Sequence, residues 1–205
     1  MHYILAMIMG YLLGCSSMAY YISRLRNTDI RKAGSGNLGA SNATVLFGWS
    51  AGVAVAVHDI GKAMAAVLLA KWLFPEAEFA GAVAGIACVM GHIFPFYLKF
   101  KGGKGLASYI GVAIALNWKM ALVVVIVLVA ATVLTDFISV GTMSVVTVAP
   151  VYAALISRNL VLAGILLAGT LVMYAKHWEN VVRIAKGQEI GLRSTIRGEN
   201  RIDKK

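Results

Sequence analysis

Met120-Ala-Leu-Val-Val-Val-Ile-Val-Leu-Val-Ala-Ala-Thr-Val-Leu-Thr135 runs for sixteen positions without a charged side chain, between Lys119 and Asp136. As a helix it reaches roughly 24 Å at about 1.5 Å per residue, close to the hydrocarbon thickness of a bilayer. Working outward from it, apolar runs of similar character predict helices near 2–23, 50–73, 78–98, 105–117, 119–135, 138–156 and 160–177. The fourth is short, and a half-helix dipping into the membrane is the alternative for it, allowed where protein satisfies its backbone.

Composition points the same way. Of 205 residues, 60% are hydrophobic and 14% charged, against about 25% charged in soluble domains. The fold class expected is therefore an all-α integral membrane protein of seven transmembrane helices, in a single polytopic domain over 1–205. The run from Tyr3 to Ile22 is long enough to span and has no basic stretch before it, so it reads as a membrane helix rather than a cleaved leader. Cys15 and Cys88 sit inside apolar runs and read as small hydrophobes.

A net charge of +10 invites a nucleic-acid reading. The distribution argues for no nucleic acid, because the basic residues fill the short gaps between apolar runs, as membrane topology signals do. With the N-terminus outside, one inner loop holds Arg24, Arg26, Arg31 and Lys32, and a second holds Lys99, Lys101 and Lys104. A cytoplasmic juxtamembrane tail over 177–205, with the helix end before it, gathers Lys176, Arg183, Lys186, Arg193, Arg197, Arg201, Lys204 and Lys205. Lys71, Lys119 and Arg158 are left outside. Trp72, Trp118 and Trp178 fall near the predicted membrane boundaries, as an aromatic belt does.

Three polar segments share the predicted cytoplasmic side. The first is Arg31-Lys-Ala-Gly-Ser-Gly-Asn-Leu-Gly-Ala-Ser-Asn42. Its glycines match G-x-G-x-x-G, but a dinucleotide site needs a strand before and a crossover helix after, and here membrane spans flank it. What remains is a loop of exposed backbone N–H groups with Ser35, Asn37, Ser41 and Asn42, suited to an anion. A flexible turn is the alternative. The second is Gly91-His-Ile-Phe-Pro-Phe-Tyr-Leu-Lys-Phe-Lys-Gly-Gly-Lys-Gly105. It is not Walker A, since Gly105 rather than Ser or Thr follows Lys104. It offers bare amides at a helix start beside a lysine; a basic inside loop explains the lysines but not the glycines. His92 reads as a structural hydrogen-bonder. The third is His177-Trp-Glu-Asn180 with Arg183 and Gly187-Gln-Glu189, where His177 and Asn180 share a helix face. An ordinary interfacial helix is the alternative.

Asp59 and Lys62, three apart in an apolar run, predict an internal ion pair that His58 can join. Asp136, Ser139, Thr142 and Ser144 cluster at the start of the sixth span, where hydroxyls commonly bond the preceding turn.

In this order the segments resemble the bacterial membrane acyl-phosphate:glycerol-3-phosphate acyltransferases, the PlsY family. That family's motifs read roughly G-S-G-N-x-G-A-T-N, G-H-x-F-P-x-F-x-x-F-K-G-G-K-G, and H-x-E-N followed by G-x-E. They match Gly34–Asn42, Gly91–Gly105, and His177, Glu179, Asn180, Gly187 and Glu189. The resemblance covers essentially the whole chain. It departs at Val45 and Asp136, where the family usually has arginine, and at Ala63 after Asp59-Ile-Gly-Lys62.

The resemblance implies transfer of a fatty acyl group from acyl phosphate to the primary hydroxyl of glycerol 3-phosphate at the inner membrane, giving lysophosphatidate and phosphate. It implies no metal or other cofactor; the partners are the two substrates and membrane lipid. The implied catalytic residues are Ser35, Lys104, His177 and Asn180. The implied substrate-binding residues are Gly36, Asn37, Gly39, Ser41, Asn42, Lys101, Gly102, Gly103, Gly105, Ser139 and Glu189, with Glu189 also bracing the loops. Either phosphate suits either loop, and Arg31, Lys32 or Arg183 is available to stand in for the arginine absent at 45. The rival readings are a silent or altered-acceptor paralog that binds phosphorylated lipid precursors, and a small anion transporter.

Overall fold

The computed structural model describes residues 1–197, so Arg201, Lys204 and Lys205 of the expected basic tail lie outside the described residues. Ten α-helices occur among the described residues: α1 (His2–Cys15), α2 (Met18–Leu25), α3 (Ala40–Phe47), α4 (Trp49–Leu73), α5 (Ala80–Ile93), α6 (Leu106–Leu116), α7 (Trp118–Thr135), α8 (Ile138–Leu155), α9 (Leu160–Ala185) and α10 (Leu192–Ile196). Six segments are long and apolar enough to cross a membrane: His2–Leu25, Ala80–Leu98, α4, α7, α8 and α9; α6 is shorter. The chain is an all-α, multi-pass integral membrane protein.

Several boundaries differ from expectation. The first span is two helices, broken at Ser16 and Ser17. Ser17 caps α2 by accepting from the Tyr20 N–H, as serine does at a helix start. The Ser16 carbonyl accepts the Lys62 ammonium at 2.6 Å. Helix α9 continues past 177 to Ala185, since no glycine or proline lies between His177 and Gly187. Helices α3 and α10 are too short to announce themselves by periodicity.

The chain divides into two compact units, Met1–Trp118 and the part from Lys119 onward. In the first, α1 and α5 meet backbone to backbone. A methyl group added at Gly10 would strike the Ala84 carbonyl, one at Gly14 the Cys88 carbonyl, and one at Gly91 the Tyr11 carbonyl. Small residues one turn apart permit this approach, which is how helices gain packing energy in lipid, where apolar burial alone gives no advantage. Gly111 does the same for α6 against the Ile60 carbonyl of α4. Cys15 and Cys88 are buried free thiols, as expected.

In the second unit, α8 and α9 pack together. Pro150 lies inside α8 and has no N–H for the carbonyl of Val146, four residues back. Thr170 of α9 donates its hydroxyl to that carbonyl at 2.6 Å. A proline inside a membrane helix thus finds its compensation on the neighbouring helix.

Candidate active site

Each unit holds polar segments predicted to matter. In the first, the loop 33–39 is organised by Asn42, on the first turn of α3 and almost fully buried at 3% exposure. Its side-chain oxygen accepts from the Ser35 N–H at 2.9 Å. Its amide nitrogen faces the carbonyls of Asn37, Ala33 and Ile30 at 3.0, 3.2 and 3.3 Å. Asn42 therefore holds the loop's shape through both ends of one amide. Gly34 and Gly36 adopt φ of 58° and 69°, the left-handed region that costs glycine nothing. Ser35 and Ser41 are exposed and Asn37 is half-buried, leaving their side chains presented by a fixed loop. Gly39 is the N-cap position of α3.

Of the basic residues held in reserve for position 45, Arg31 is taken. It makes a two-pronged bond to Asp29, at 2.9 and 3.1 Å, and lies over the Tyr20 ring. That hydrogen bond holds the Asp29 carboxyl below its ordinary range and raises the Arg31 guanidinium. Lys32 is exposed, and Val45 is half-buried on α3.

The second motif sits on a buried polar network. Asp59 and Lys62 are 2% and 8% exposed, with Nζ and Oδ1 2.7 Å apart. Lys62 Nζ also lies 3.0 Å from His92 Nδ1, and His58 reaches Asp59 at 3.4 Å. The expected internal ion pair is present, and His92, expected only as a hydrogen-bonder, links it to the glycine loop. The N–H groups of Gly102 and Gly103, expected to be bare, instead donate to the carbonyls of Ile93 and His92, each at 3.0 Å. A methyl group at Gly102 would hit the His92 carbonyl, and one at Gly103 the His92 imidazole. These glycines exist for close approach. Gly105, at φ 95°, turns the chain into α6. The start of α6 offers an anion its first-turn amides, which have no partner within the helix, and half-buried Lys104 precedes it; Lys101 is exposed.

In the second unit, α9 carries His177 and Asn180, 3% and 6% exposed. His177 Nδ1 lies 2.8 Å from the Met173 carbonyl. A carbonyl only accepts, so Nδ1 carries the proton and Nε2 is the basic nitrogen. Asn180 donates its amide to Glu189 Oε1. Arg183 Nε donates to Glu189 Oε2 at 2.7 Å, and buried Ser139, at the start of α8, donates to Oε1 at 3.5 Å. Glu189 is thus a hub, and Arg183 is its partner. Thr142 and Ser144 bond carbonyls four residues back in α8, the ordinary role foreseen for them. Asp136 departs from that cluster and bonds the chain at Leu192 and Arg193. No sequence signal pointed to that pairing, because its partners are more than fifty residues away.

Comparison with known proteins places this geometry. The sequence model of the family described as glycerol-3-phosphate acyltransferase matches residues 4–187. The chain belongs to the glycerol-3-phosphate acyltransferase family. It is 33% identical over 201 residues to glycerol-3-phosphate acyltransferase 1 of Oceanobacillus iheyensis, covering 95% of this chain and 97% of that one. To the glycerol-3-phosphate acyltransferase of Coxiella burnetii it is 36% identical over 190 residues, covering 92% and 97%. Among solved structures it superposes on the glycerol 3-phosphate form of PlsY, an integral membrane glycerol 3-phosphate acyltransferase. That match has a TM-score of 0.86 and 28% identity, over 92% of this chain and 94% of that one. The lysophosphatidic acid form matches at 0.85 and 27%, over 95% and 98%. Membership in this family makes the chain an acyltransferase.

Proposed function

We propose that this chain transfers a fatty acyl group from acyl phosphate to the primary hydroxyl of glycerol 3-phosphate, releasing lysophosphatidate and inorganic phosphate. The observation that carries the reading is the second motif. Gly102 and Gly103 are packed against His92, and the loop they fix sets Lys104 directly before the N-cap of α6.

Acyl phosphate is already activated, so a covalent enzyme intermediate is unnecessary. The hydroxyl oxygen of the acceptor forms the new ester bond to the acyl carbon, and the bond from that carbon to the phosphate oxygen breaks. The enzyme's task is to bring two anions into reach and stabilise the developing oxyanion. In this reading Lys104, Lys101 and the start of α6 at Gly105 hold one phosphate, with Gly102 and Gly103 setting the loop. Ser35, Asn37 and Ser41 hold the second phosphate or orient the hydroxyl, on a loop shaped by Gly36, Gly39 and Asn42. His177 Nε2 receives the hydroxyl proton, Asn180 positions the acceptor, and Glu189 with Ser139 keeps Asn180 in place. Seven membrane segments, with α6 as the short one, put the N-terminus outside and these loops on the cytoplasmic face of the inner membrane, the arrangement the lysine and arginine distribution favours.

The test uses protein purified in detergent, glycerol 3-phosphate, and either palmitoyl phosphate or palmitoyl-CoA, with phosphate and lysophosphatidate followed together. Equal release of both products from palmitoyl phosphate, and none from the thioester, is the expected result. Folded protein that binds glycerol 3-phosphate without turning over would replace this reading with the silent paralog. Turnover with the thioester alone would overturn the donor assignment.

A further inference from the structure

Asp136 occupies the corner between α7 and α8, with φ 69°. Its backbone carbonyl accepts from the Leu192 N–H at 2.7 Å, and its Oδ1 accepts from the Arg193 N–H at 2.8 Å. It thereby takes two first-turn amides of α10 that this helix cannot satisfy itself. Arg193 returns a bond from its guanidinium to the Val133 carbonyl at 3.2 Å. A methyl group at Gly191 would land on Asp136 Oδ2. Two residues before Gly191 stands Glu189, whose carboxylate receives Asn180, Arg183 and Ser139. The segment 189–193 is therefore fastened at two places on the same stretch of chain, 136–139, with Glu189 at one and the α10 amides at the other.

We propose that Asp136 is a positioning residue for the transfer reaction. By gripping 191–193 it holds Glu189 against Asn180, so the Asn180 amide keeps the orientation the acceptor needs. The inference rests on the reading that Asn180 positions glycerol 3-phosphate. Asp136 touches no reacting atom; it acts through the backbone of 189–193.

Kinetics of Asp136→Ala, Asp136→Asn, Glu189→Gln and the double variant D136A/E189Q test this, alongside limited trypsin digestion of the same proteins. Asp136→Ala keeps the backbone carbonyl that serves the Leu192 N–H but loses the carboxylate that serves the Arg193 N–H. It should therefore raise KM for glycerol 3-phosphate by about tenfold, the low end for losing one charge-assisted hydrogen bond, with kcat changed far less. Asp136→Asn keeps an acceptor oxygen and tolerates positive φ, so it should recover most of that loss. The double variant should be no worse than Glu189→Gln alone, because both act through one hub. Trypsin should cut after Arg193 several-fold faster in Asp136→Ala. Arg193→Ala keeps its backbone amide and should change little. Multiplying effects in the double variant, or unchanged KM and unchanged cleavage in Asp136→Ala, would overturn the proposal. If Asp136→Ala does not fold, Gly191→Ala carries the same test by displacing the carboxylate. Wild-type protein inactive with both donors would sink the functional reading, while faster cleavage in Asp136→Ala would still support the grip itself.

Discussion

Lys62 Nζ lies 2.7 Å from Asp59 Oδ1, one turn apart on α4, with both side chains nearly sealed from solvent. Isolated, neither charge would be tolerated there. Together with the Ser16 carbonyl, His58 and His92 they form a closed set of partners. Lys62→Met should therefore destabilise the protein by about 3–5 kcal/mol, the usual effect of stranding one buried charge. Removing both charges, as Asp59→Asn with Lys62→Met, should restore a large part of that loss. Thermal unfolding in detergent measures both. A double variant no more stable than Lys62→Met would mean that the pair is not the stabilising unit.

The glycines of the second motif make a sharper prediction. At Gly103 a single added methyl would occupy the space of the His92 ring, whereas at Gly61, on α4, it would meet nothing within 4 Å. Gly103→Ala should abolish turnover by displacing Lys104 and the start of α6. Gly61→Ala should leave turnover intact and, as a helix-interior exchange, stabilise slightly, by about 0.5–1 kcal/mol. Equal activity in the two variants would show that the loop tolerates movement and that its tightness is not functional.

His177 has its Nδ1 proton fixed on the Met173 carbonyl, which leaves Nε2 as the nitrogen that can accept a proton. His177→Ala should lower kcat by about 10²-fold or more, in the range of general-base removal, with the unfolding temperature little changed. Lys104→Ala should lower kcat by a similar factor through loss of anion stabilisation. A His177→Ala enzyme retaining most of its kcat would transfer the base role to the departing phosphate, which is itself able to receive the proton.

The membrane helices were legible because lipid imposes a simple rule, long apolar runs fenced by charge, and Met120–Thr135 obeys it without ambiguity. The Asp59 and Lys62 pair was legible for the same reason, since charge at membrane depth needs a partner. The interruption at Ser16 and Ser17 was not, because the Ser16 carbonyl freed there is served by the Lys62 ammonium of α4, a contact forty-six residues away. Asn42 read as a ligand and Gly102 and Gly103 as bare amides because sequence shows donors and acceptors but not who already uses them. Asp136 read as one polar residue among several, and its grip on 191–193 depends on a long-range contact that no local pattern encodes.

Pro150 and Thr170 give a prediction about stability alone. The Val146 carbonyl loses its helical partner to Pro150 and gains the Thr170 hydroxyl. Thr170→Val keeps shape but removes that donor, so it should cost about 1–2 kcal/mol, the range for a hydrogen bond between membrane helices. Adding Pro150→Ala restores the backbone N–H and should cancel much of the cost. Unfolding temperatures of the two single variants and the double one decide it, and strict additivity would refute the compensation.

Asn42 separates a loop-shaping role from ligand contact. Asn42→Ala removes the whole bracket around 30–37, and water can enter to serve the freed groups, so the loss should be moderate. Asn42→Asp keeps the acceptor for the Ser35 N–H but turns a second carboxylate oxygen toward the carbonyls of Ile30, Ala33 and Asn37, where the amide used to donate. Acceptor now faces acceptor in a buried place, and a charge with it. Asn42→Asp should therefore be the worse of the two in both unfolding temperature and KM, although it is the closer replacement in shape. A residue that bound a phosphate directly would show a different pattern, with KM raised in both variants and unfolding unaffected in the absence of substrate.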